Sequence, residues 1–240
     1  NLLERLQEGI KSINPETALL CELFGPVFVK THDFQCDYYP FANLFALLRG
    51  EITPYEFGEW LRDYWAVMPP SAVRVSFTET HDTRKDFSAY AWRGSKAEKA
   101  MYAILIMAGF VPMMWSGQEV GAEDFYRRIL SARSQSQAIL FGERQFNAVA
   151  CDNPHVLSII AREGEERIWG VVSLYAERTP LTFDLTSFFE IDSSKIYRLH
   201  DLIAHQEWNE YGQREWTAET LRSVTLSLVP FMPYFFEIVS

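Results

Sequence analysis

Hydrophobic positions in the first 140 residues follow two spacings in turn, one typical of amphipathic helices and one typical of buried strands. Leu2, Leu6, Ile10 and Ile13 recur at helical spacing with charged residues between them, which predicts a helix at the start of the chain. The segment from Thr17 to Glu22 is short, nearly all apolar and ends in a carboxylate, as expected of a parallel strand covered on both faces. The chain therefore opens with a helix followed by a strand.

The same alternation of helix and strand continues to about residue 142. Thr53-Pro54-Tyr55-Glu56 combines an N-cap, a proline at the first helical position and a reciprocal glutamate, and Ser95-Lys96-Ala97-Glu98 is a second capping box. Further strands are predicted within residues 34–41, 73–78 and 110–115, and further helices within 42–48, 53–65, 95–107 and 125–140. Because strand and helix alternate four times, a parallel sheet with right-handed crossovers is the simplest topology.

The pattern changes after Asn147, where short β-rich runs replace the helical stripes. Turn signals such as Glu163-Gly164-Glu165 separate these runs, as in an antiparallel sandwich. Strands are predicted at 156–161, 168–175, 181–185, 196–202, 223–229 and 234–239. We therefore predict two domains, an α/β domain at residues 1–147 and an all-β domain at 148–240.

Composition and charge narrow the possible functions. With 48% hydrophobic and 15% aromatic residues, the 240-residue chain has ample material for a buried core. A net charge of -10 and a pI near 5.0 argue against a nucleic-acid partner, because binding to phosphates needs clustered Lys and Arg. No apolar run approaches the roughly 20 residues that cross a bilayer. The three cysteines are far apart and glycine-rich phosphate loops are absent, so we predict neither a metal site nor a cofactor.

Carboxylates follow three of the predicted parallel strands. Glu22, Asp82 and Glu119 each lie just beyond the carboxyl end of a strand, which is the edge where (β/α) barrels carry their active sites. Cleavage of a glycosidic bond needs one carboxyl group that is protonated and one that is ionised. A glutamate stays protonated near neutrality when its pKa rises by roughly 2 to 3 units, or about 3 to 4 kcal/mol, which a neighbouring carboxylate and partial burial can supply. The arrangement predicts a glycosidase-like site.

Four segments resemble, in order and spacing, the strand-end motifs of the alpha-amylase superfamily, glycoside hydrolase family 13. They match the fifth to eighth barrel strands of that family: residues 18–24 (A-L-L-C-E-L-F), 34–44 (F-Q-C-D-Y-Y-P-F-A-N-L), 77–84 (F-T-E-T-H-D-T-R) and 109–121 (G-F-V-P-M-M-W-S-G-Q-E-V-G). The resemblance covers roughly residues 1–145, and the closing β segment is placed like the C-terminal sandwich of the family. It implies the C-terminal half (strands 5 to 8) of a (β/α)8 TIM barrel followed by an antiparallel β-sandwich.

The position of each residue in these motifs implies its role. Glu22 is the implied general acid/base, Asp82 the carboxylate that stabilises the oxocarbenium-like transition state, and His81 a substrate-binding residue, while Glu119 has a supporting role. The nucleophilic Asp of the family lies on the fourth strand, which we expect before Asn1. The N-terminal half of the barrel is thus an expected partner and the place where calcium is possible, and the 240 residues alone are expected to be inactive. The complete protein is expected to hydrolyse or transfer α-glucosidic linkages of an α-glucan or maltooligosaccharide with retention.

Two departures from the family pattern leave other functions open. Family members usually carry Asn where this chain has Thr80, and often Gly where it has Cys21. The alternative is a catalytically inactive amylase-like module for carbohydrate binding or assembly, and a third hypothesis is a free-standing α/β binding domain. Four aromatic residues would either stack on sugar rings or pack in the core: Tyr38, Tyr39, Trp92 and Trp115.

Overall fold

The computed structural model describes residues 2–23, 25–83, 95–174, 177–186 and 191–240. Trp92 and Tyr175, which the sequence assigned to a possible sugar contact and to a strand end, lie outside the described residues. Within the described part of the chain, a four-stranded parallel sheet with its helices precedes two antiparallel sheets. This architecture confirms the predicted fold class.

Four short parallel strands form the first sheet, in sequential order. They are β1 (Leu20–Cys21), β2 (Phe34–Cys36), β3 (Arg74–Phe77) and β4 (Val111–Met113). The register pairs Cys21 with Gln35 and Phe77 with Met113. Because the strands run in one direction, their carboxyl ends meet at a single edge, as the sequence predicted.

The described helices are α1 (Leu2–Ile13), α2 (Tyr39–Leu48), α3 (Pro54–Ala66), α4 (Lys96–Met107), α5 (Glu123–Gln135) and α6 (Gln137–Phe141). The capping box at the start of α3 is confirmed: Glu56 N donates to Thr53 Oγ1 at 3.1 Å, and Thr53 N donates to Glu56 Oε2 at 2.8 Å. At α4 only half of the predicted box forms. Glu98 N donates to Ser95 Oγ at 3.1 Å, but the Glu98 carboxyl turns into a buried network described below.

Several predicted elements, including the strand expected at 17–22, are shorter than expected, and two of the differences in extent have a visible local cause. The aromatic segment 34–41 leaves the strand early, because Tyr39 N donates to Asp37 Oδ1 at 2.9 Å and Pro40 lies in the first turn of α2. The single helix predicted over 125–140 is interrupted at Ser136, where Ile139 N donates to Ser136 Oγ at 3.0 Å and a new helix begins.

The described C-terminal residues form antiparallel strands. These are β5 (Glu143–Phe146), β6 (Ala150–Cys151), β7 (Val156–Glu163), β8 (Glu166–Ser173), β9 (Leu181–Asp184), β10 (Ile196–Asp201), β11 (Gln206–Glu207), β12 (Trp216–Thr217), β13 (Val224–Leu226) and β14 (Pro233–Val239). The larger sheet has the order β11-β10-β14-β8-β7-β5, with β12 paired to β10, and the smaller has the order β13-β9-β6. β5 belongs to the larger sheet, and the division of the chain at 147/148 stays a prediction.

The larger sheet is buried on both faces, which explains the long apolar runs of its central strands. One face shares a hydrophobic core with the helices α2 to α6. On the other face, Trp169 packs against Phe236 of the same sheet and Phe183 of the smaller sheet, with ring centroids 5.6 Å and 4.9 Å away. Gly170 leaves room for α4, since a Cβ at that position would lie 2.5 Å from Met107 Cγ. This close contact fixes α4 against the larger sheet.

Arg144 of β5 also ties the helices to the antiparallel sheet. Its Nε donates to Met107 O at 2.8 Å, and its Nη1 donates to Ala138 O at 3.0 Å. Burial lowers the pKa of Arg144 to about 10, so the side chain remains a cation at neutral pH. A cation beside these carbonyls also complements the negative end of the α4 dipole.

Candidate functional site

The carboxyl ends of the parallel strands bring polar and aromatic side chains to one edge of the sheet. Glu22 follows β1, Tyr38 follows β2, His81 and Asp82 follow β3, and Trp115 follows β4. Glu22, His81 and Asp82 are exposed, whereas Tyr38 and Trp115 are half-buried. The two predicted catalytic carboxylates and the predicted substrate-binding histidine therefore lie at the same edge.

Tyr38 follows the strand that lies between those of the two predicted catalytic carboxylates, because β2 lies between β1 and β3. Tyr38 Oη donates to Asp82 Oδ2 at 3.4 Å. Burial raises the pKa of Tyr38, and the charges of Asp82 and Glu22 raise it further. Burial and then the Glu22 charge also raise the pKa of the Cys36 thiol. Since charge interactions weaken with distance and with screening by water, both carboxylates lie within electrostatic range of the same phenol.

His81 and Asp82 form an open pair beside an aromatic ring. His81 Nε2 lies 3.3 Å from Asp82 Oδ1, and the two side chains are 60% and 63% exposed. An ion pair this exposed contributes little to stability. The His81 ring lies 5.8 Å from the Trp115 ring, tilted by 33°. The edge thus offers charged hydrogen-bonding groups and an aromatic surface to a ligand in solvent.

The two residues that depart from the family pattern make local hydrogen bonds at the strand ends. Thr80 N donates to Thr83 Oγ1 at 2.7 Å, and Thr83 N donates to Thr80 Oγ1 at 3.2 Å. This reciprocal pair is buried and closes the turn that carries Asp82. The buried thiol of Cys21 donates to Leu23 O at 3.2 Å. Both departures therefore shape the backbone next to a predicted catalytic residue.

A buried network behind the site was missed by the sequence analysis. Gln118 is completely buried, and its Nε2 lies 2.7 Å from Thr78 Oγ1, 2.6 Å from Glu98 Oε1 and 3.0 Å from Tyr126 Oη. Trp115 N donates to Gln118 Oε1 at 3.1 Å. Tyr126 also donates to Glu98 Oε1, and burial raises the pKa of this tyrosine, so it stays a donor. The network joins the ends of β3 and β4 to α4 and α5.

A second buried group anchors the end of β2. Asp37 is fully buried, accepts a hydrogen bond from Tyr64 Oη of α3, and lies 4.0 Å from Arg74 Nη1 of β3. Burial raises the pKa of Tyr64, and the Asp37 charge raises it further, so the phenol keeps its proton. Asp37 directly precedes Tyr38, and its other oxygen accepts from Tyr39 N. The backbone that carries Tyr38 is therefore held from two sides. No sequence signal linked these residues, which are distant along the chain.

Glu119 lies half-buried in the turn after β4, and its Oε2 is buried without a hydrogen-bond partner among the described residues. Its supporting role stays a prediction. The described residues contain no group of three or more His, Cys, Asp or Glu side chains placed to hold a metal ion. No helix within the described ranges is both long and apolar enough to span a membrane.

Comparison with known proteins identifies the fold through solved structures. No protein-family model matches the chain, and no curated protein matches it. A noncanonic maltogenic alpha-amylase, AmyB from Thermotoga neapolitana, aligns with 98% of the chain at a TM-score of 0.77 and 16% identity. An alpha-amylase from Lactobacillus plantarum also aligns with 98%, at a TM-score of 0.70 and 16% identity. The Nostoc punctiforme debranching enzyme aligns with 98%, at a TM-score of 0.72 and 14% identity.

The chain spans little more than half of each of these enzymes, namely 57%, 58% and 54% of their lengths. At such low identities the likeness establishes the fold alone. The structural resemblance to alpha-amylases that the sequence motifs predicted is therefore confirmed: the chain has the fold of the C-terminal region of these enzymes.

Proposed function

We propose that the chain is part of a retaining glycoside hydrolase or transglycosylase that acts on α-glucans. The observation that carries the proposal is the position of Glu22 and Asp82, which flank Tyr38 at the carboxyl edge of the parallel sheet. In (β/α) barrels this edge carries the active site. The three solved structures compared above are two alpha-amylases and a debranching enzyme, which supports an α-glucan as the substrate.

In the proposed mechanism, two carboxylates of this chain act on one glycosidic bond. Glu22 donates a proton to the leaving oxygen and then removes a proton from the incoming water or sugar hydroxyl. Asp82 binds sugar hydroxyls and stabilises the positive charge of the transition state. His81, paired with Asp82, donates a hydrogen bond to substrate. The nucleophilic Asp implied by the family resemblance comes from another strand, so the 240 residues alone should not turn over substrate.

The exposed surface formed by α1 and β1 is consistent with the binding of a further polypeptide that completes the barrel. None of the residues of α1 is buried, and β1 pairs only with β2 among the described strands. Leu2, Leu6, Ile13 and Leu20 are each more than half exposed. An apolar helix face beside an unpaired strand edge is unfavourable in water and favours a covering polypeptide. We propose that the N-terminal half of the barrel fills this place.

The test is the rate of maltooligosaccharide cleavage by the full-length gene product and by its Glu22→Gln variant. Loss of a general acid/base should lower kcat by about 10²- to 10⁴-fold. Glu16→Gln is the matched control, because this exposed glutamate lies before β1, at the opposite end of the strand, and should leave the rate unchanged. Equal rates for Glu22→Gln and wild type would remove Glu22 from the mechanism. Proton NMR of the first product reports the anomeric configuration, and a β-anomer would contradict retention.

The substitutions at Thr80 and Cys21 favour a second candidate, a catalytically inactive amylase-like module that binds carbohydrate or supports assembly. The same experiment separates the two functions. Binding of a maltooligosaccharide without any cleavage by the full-length product would support the module. Cleavage that depends on Glu22 would exclude it.

A further inference from the structure

Tyr38 occupies the place between the two predicted catalytic carboxylates. Its ring packs edge-on against the fully buried Phe77, with centroids 4.7 Å apart and planes at 78°. Its backbone continues from Asp37, whose buried carboxylate is held by Tyr64. Phe77 and Asp37 thus fix the ring and the backbone, and they leave the hydroxyl of Tyr38 directed at Asp82 Oδ2, 3.4 Å away.

The two oxygens of the Asp82 carboxylate have different partners. Oδ1 faces His81 Nε2 at 3.3 Å, and Oδ2 faces Tyr38 Oη at 3.4 Å. An exposed aspartate would otherwise rotate among several rotamers, and contacts at both oxygens favour one orientation. At 3.4 Å the contact from Tyr38 is longer than the usual O–H···O hydrogen bond, so its effect is to orient the carboxylate.

The phenol of Tyr38 is suited to act as a permanent hydrogen-bond donor. Burial raises the pKa of Tyr38, and the charges of Asp82, Glu22 and Cys36 raise it further. The hydroxyl therefore keeps its proton throughout the pH range in which a glycosidase works. A tyrosine that stays neutral also separates the two carboxylates without adding a charge between them.

We propose that Tyr38 is a positioning residue that orients the Asp82 carboxylate toward the sugar. The proposal rests on the proposed function for its catalytic consequence, but the contact between Tyr38 and Asp82 can be measured without any turnover. Removal of the hydroxyl should let the Asp82 carboxylate adopt other rotamers, because Oδ2 then loses its contact with Tyr38. The charged or titratable groups that face the pair among the described residues are His81, Glu22 and Cys36.

The test compares Tyr38→Phe with wild type in the full-length gene product. Phenylalanine keeps the ring packing on Phe77, so the fold should be preserved. Tyr55→Phe is the matched control, because Tyr55 is 60% exposed on α3 and follows no strand of the parallel sheet. Carbon-13 NMR of labelled aspartate carboxyls at one neutral pH, with Asp82→Asn to assign the resonance, reports the environment of the Asp82 carboxyl.

The expected result is a shifted Asp82 carboxyl resonance in Tyr38→Phe and an unshifted one in Tyr55→Phe. On maltooligosaccharides, kcat should fall by about threefold to tenfold with little change in KM. An Asp82 resonance that is unchanged in Tyr38→Phe would overturn the proposal. Absence of turnover by the wild type would instead refute the proposed function, and the resonance would still decide the role of Tyr38.

Discussion

Replacement of Gln118 by leucine tests whether the buried network behind the strand ends supports the candidate site. Gln118 is completely buried, and leucine is of similar size, so the change removes hydrogen bonds with little change in packing. Trp115 N loses its acceptor, and the Glu98 carboxyl loses a donor. The variant therefore leaves Trp115 N unpaired and removes one of the donors to Glu98 of α4, which keeps its hydrogen bond from Tyr126.

The size of the effect follows from the number of groups left without a partner. The Gln118 amide has two hydrogens and three acceptors within 3.0 Å, so two of these bonds form at one time. Each unpaired buried group costs about 1–3 kcal/mol. Trp115 N becomes unpaired and Glu98 loses one hydrogen bond, worth about 0.5–1.5 kcal/mol, so we expect a loss of about 2–4 kcal/mol in the free energy of unfolding. Because larger proteins lose fewer degrees of Tm per kcal/mol, this corresponds to a fall of roughly 2–5 °C in a full-length product nearly twice as long as this chain.

Thermal unfolding of the full-length gene product, followed by circular dichroism, measures this difference. Gln145→Leu is the control, because Gln145 is exposed on β5 and an exposed substitution should change stability by about 0.5 kcal/mol or less. A Tm for Gln118→Leu equal to that of Gln145→Leu would refute the reasoning. It would mean that the network contributes nothing to holding β3 and β4 against the helices.

Two further variants test other buried polar groups. Burial raises the pKa of the Asp201 carboxyl from 3.8 to about 6. The folded protein therefore binds the Asp201 proton more tightly than the unfolded chain does. As a result, the protein loses stability as the pH rises from about 4 to 6. The Asp201→Asn variant should therefore be about 3 kcal/mol more stable than wild type above pH 6.5 and as stable as wild type near pH 3.5. Urea unfolding at both pH values measures this difference, and the same difference at both would contradict the prediction. Thr80→Val leaves the buried Thr83 N without an acceptor and should lower the free energy of unfolding by about 1–2 kcal/mol. Thr80→Ser keeps the hydroxyl and should not lower it. Equal stability of the two variants would contradict the role of the reciprocal pair of hydrogen bonds.

Features that depend on neighbouring residues were predictable from the sequence. The capping box of Thr53 and Glu56 needs only residues three apart, and it formed as predicted. The parallel sheet followed from the alternation of strand and helix, and it placed Glu22 and Asp82 at one edge. Strands of two residues, such as β11 and β12, were missed because two residues carry no periodicity.

Features that depend on distant residues were not predictable. Glu98 was expected to complete a capping box, but its carboxyl meets Tyr126 and Gln118, which lie 28 and 20 residues away along the chain. Tyr38 was expected to stack on a sugar or pack in the core, and its contact with Asp82 spans 44 residues. A single sequence gives no signal for such pairs, because the order of the strands in the sheet determines which distant side chains come into contact.

The leaving-group dependence of Glu22→Gln tests the central claim most directly. Fluoride leaves a sugar without being protonated, whereas the oxygen of a glycosidic bond needs a proton from the acid. Single-turnover rates of the full-length product are compared on maltotriose and on α-maltosyl fluoride. We predict that Glu22→Gln slows maltotriose cleavage by about 10²- to 10⁴-fold and leaves the first release of fluoride near the wild-type rate. An equal loss on both substrates would contradict the assignment of Glu22 as the acid at this edge of the sheet.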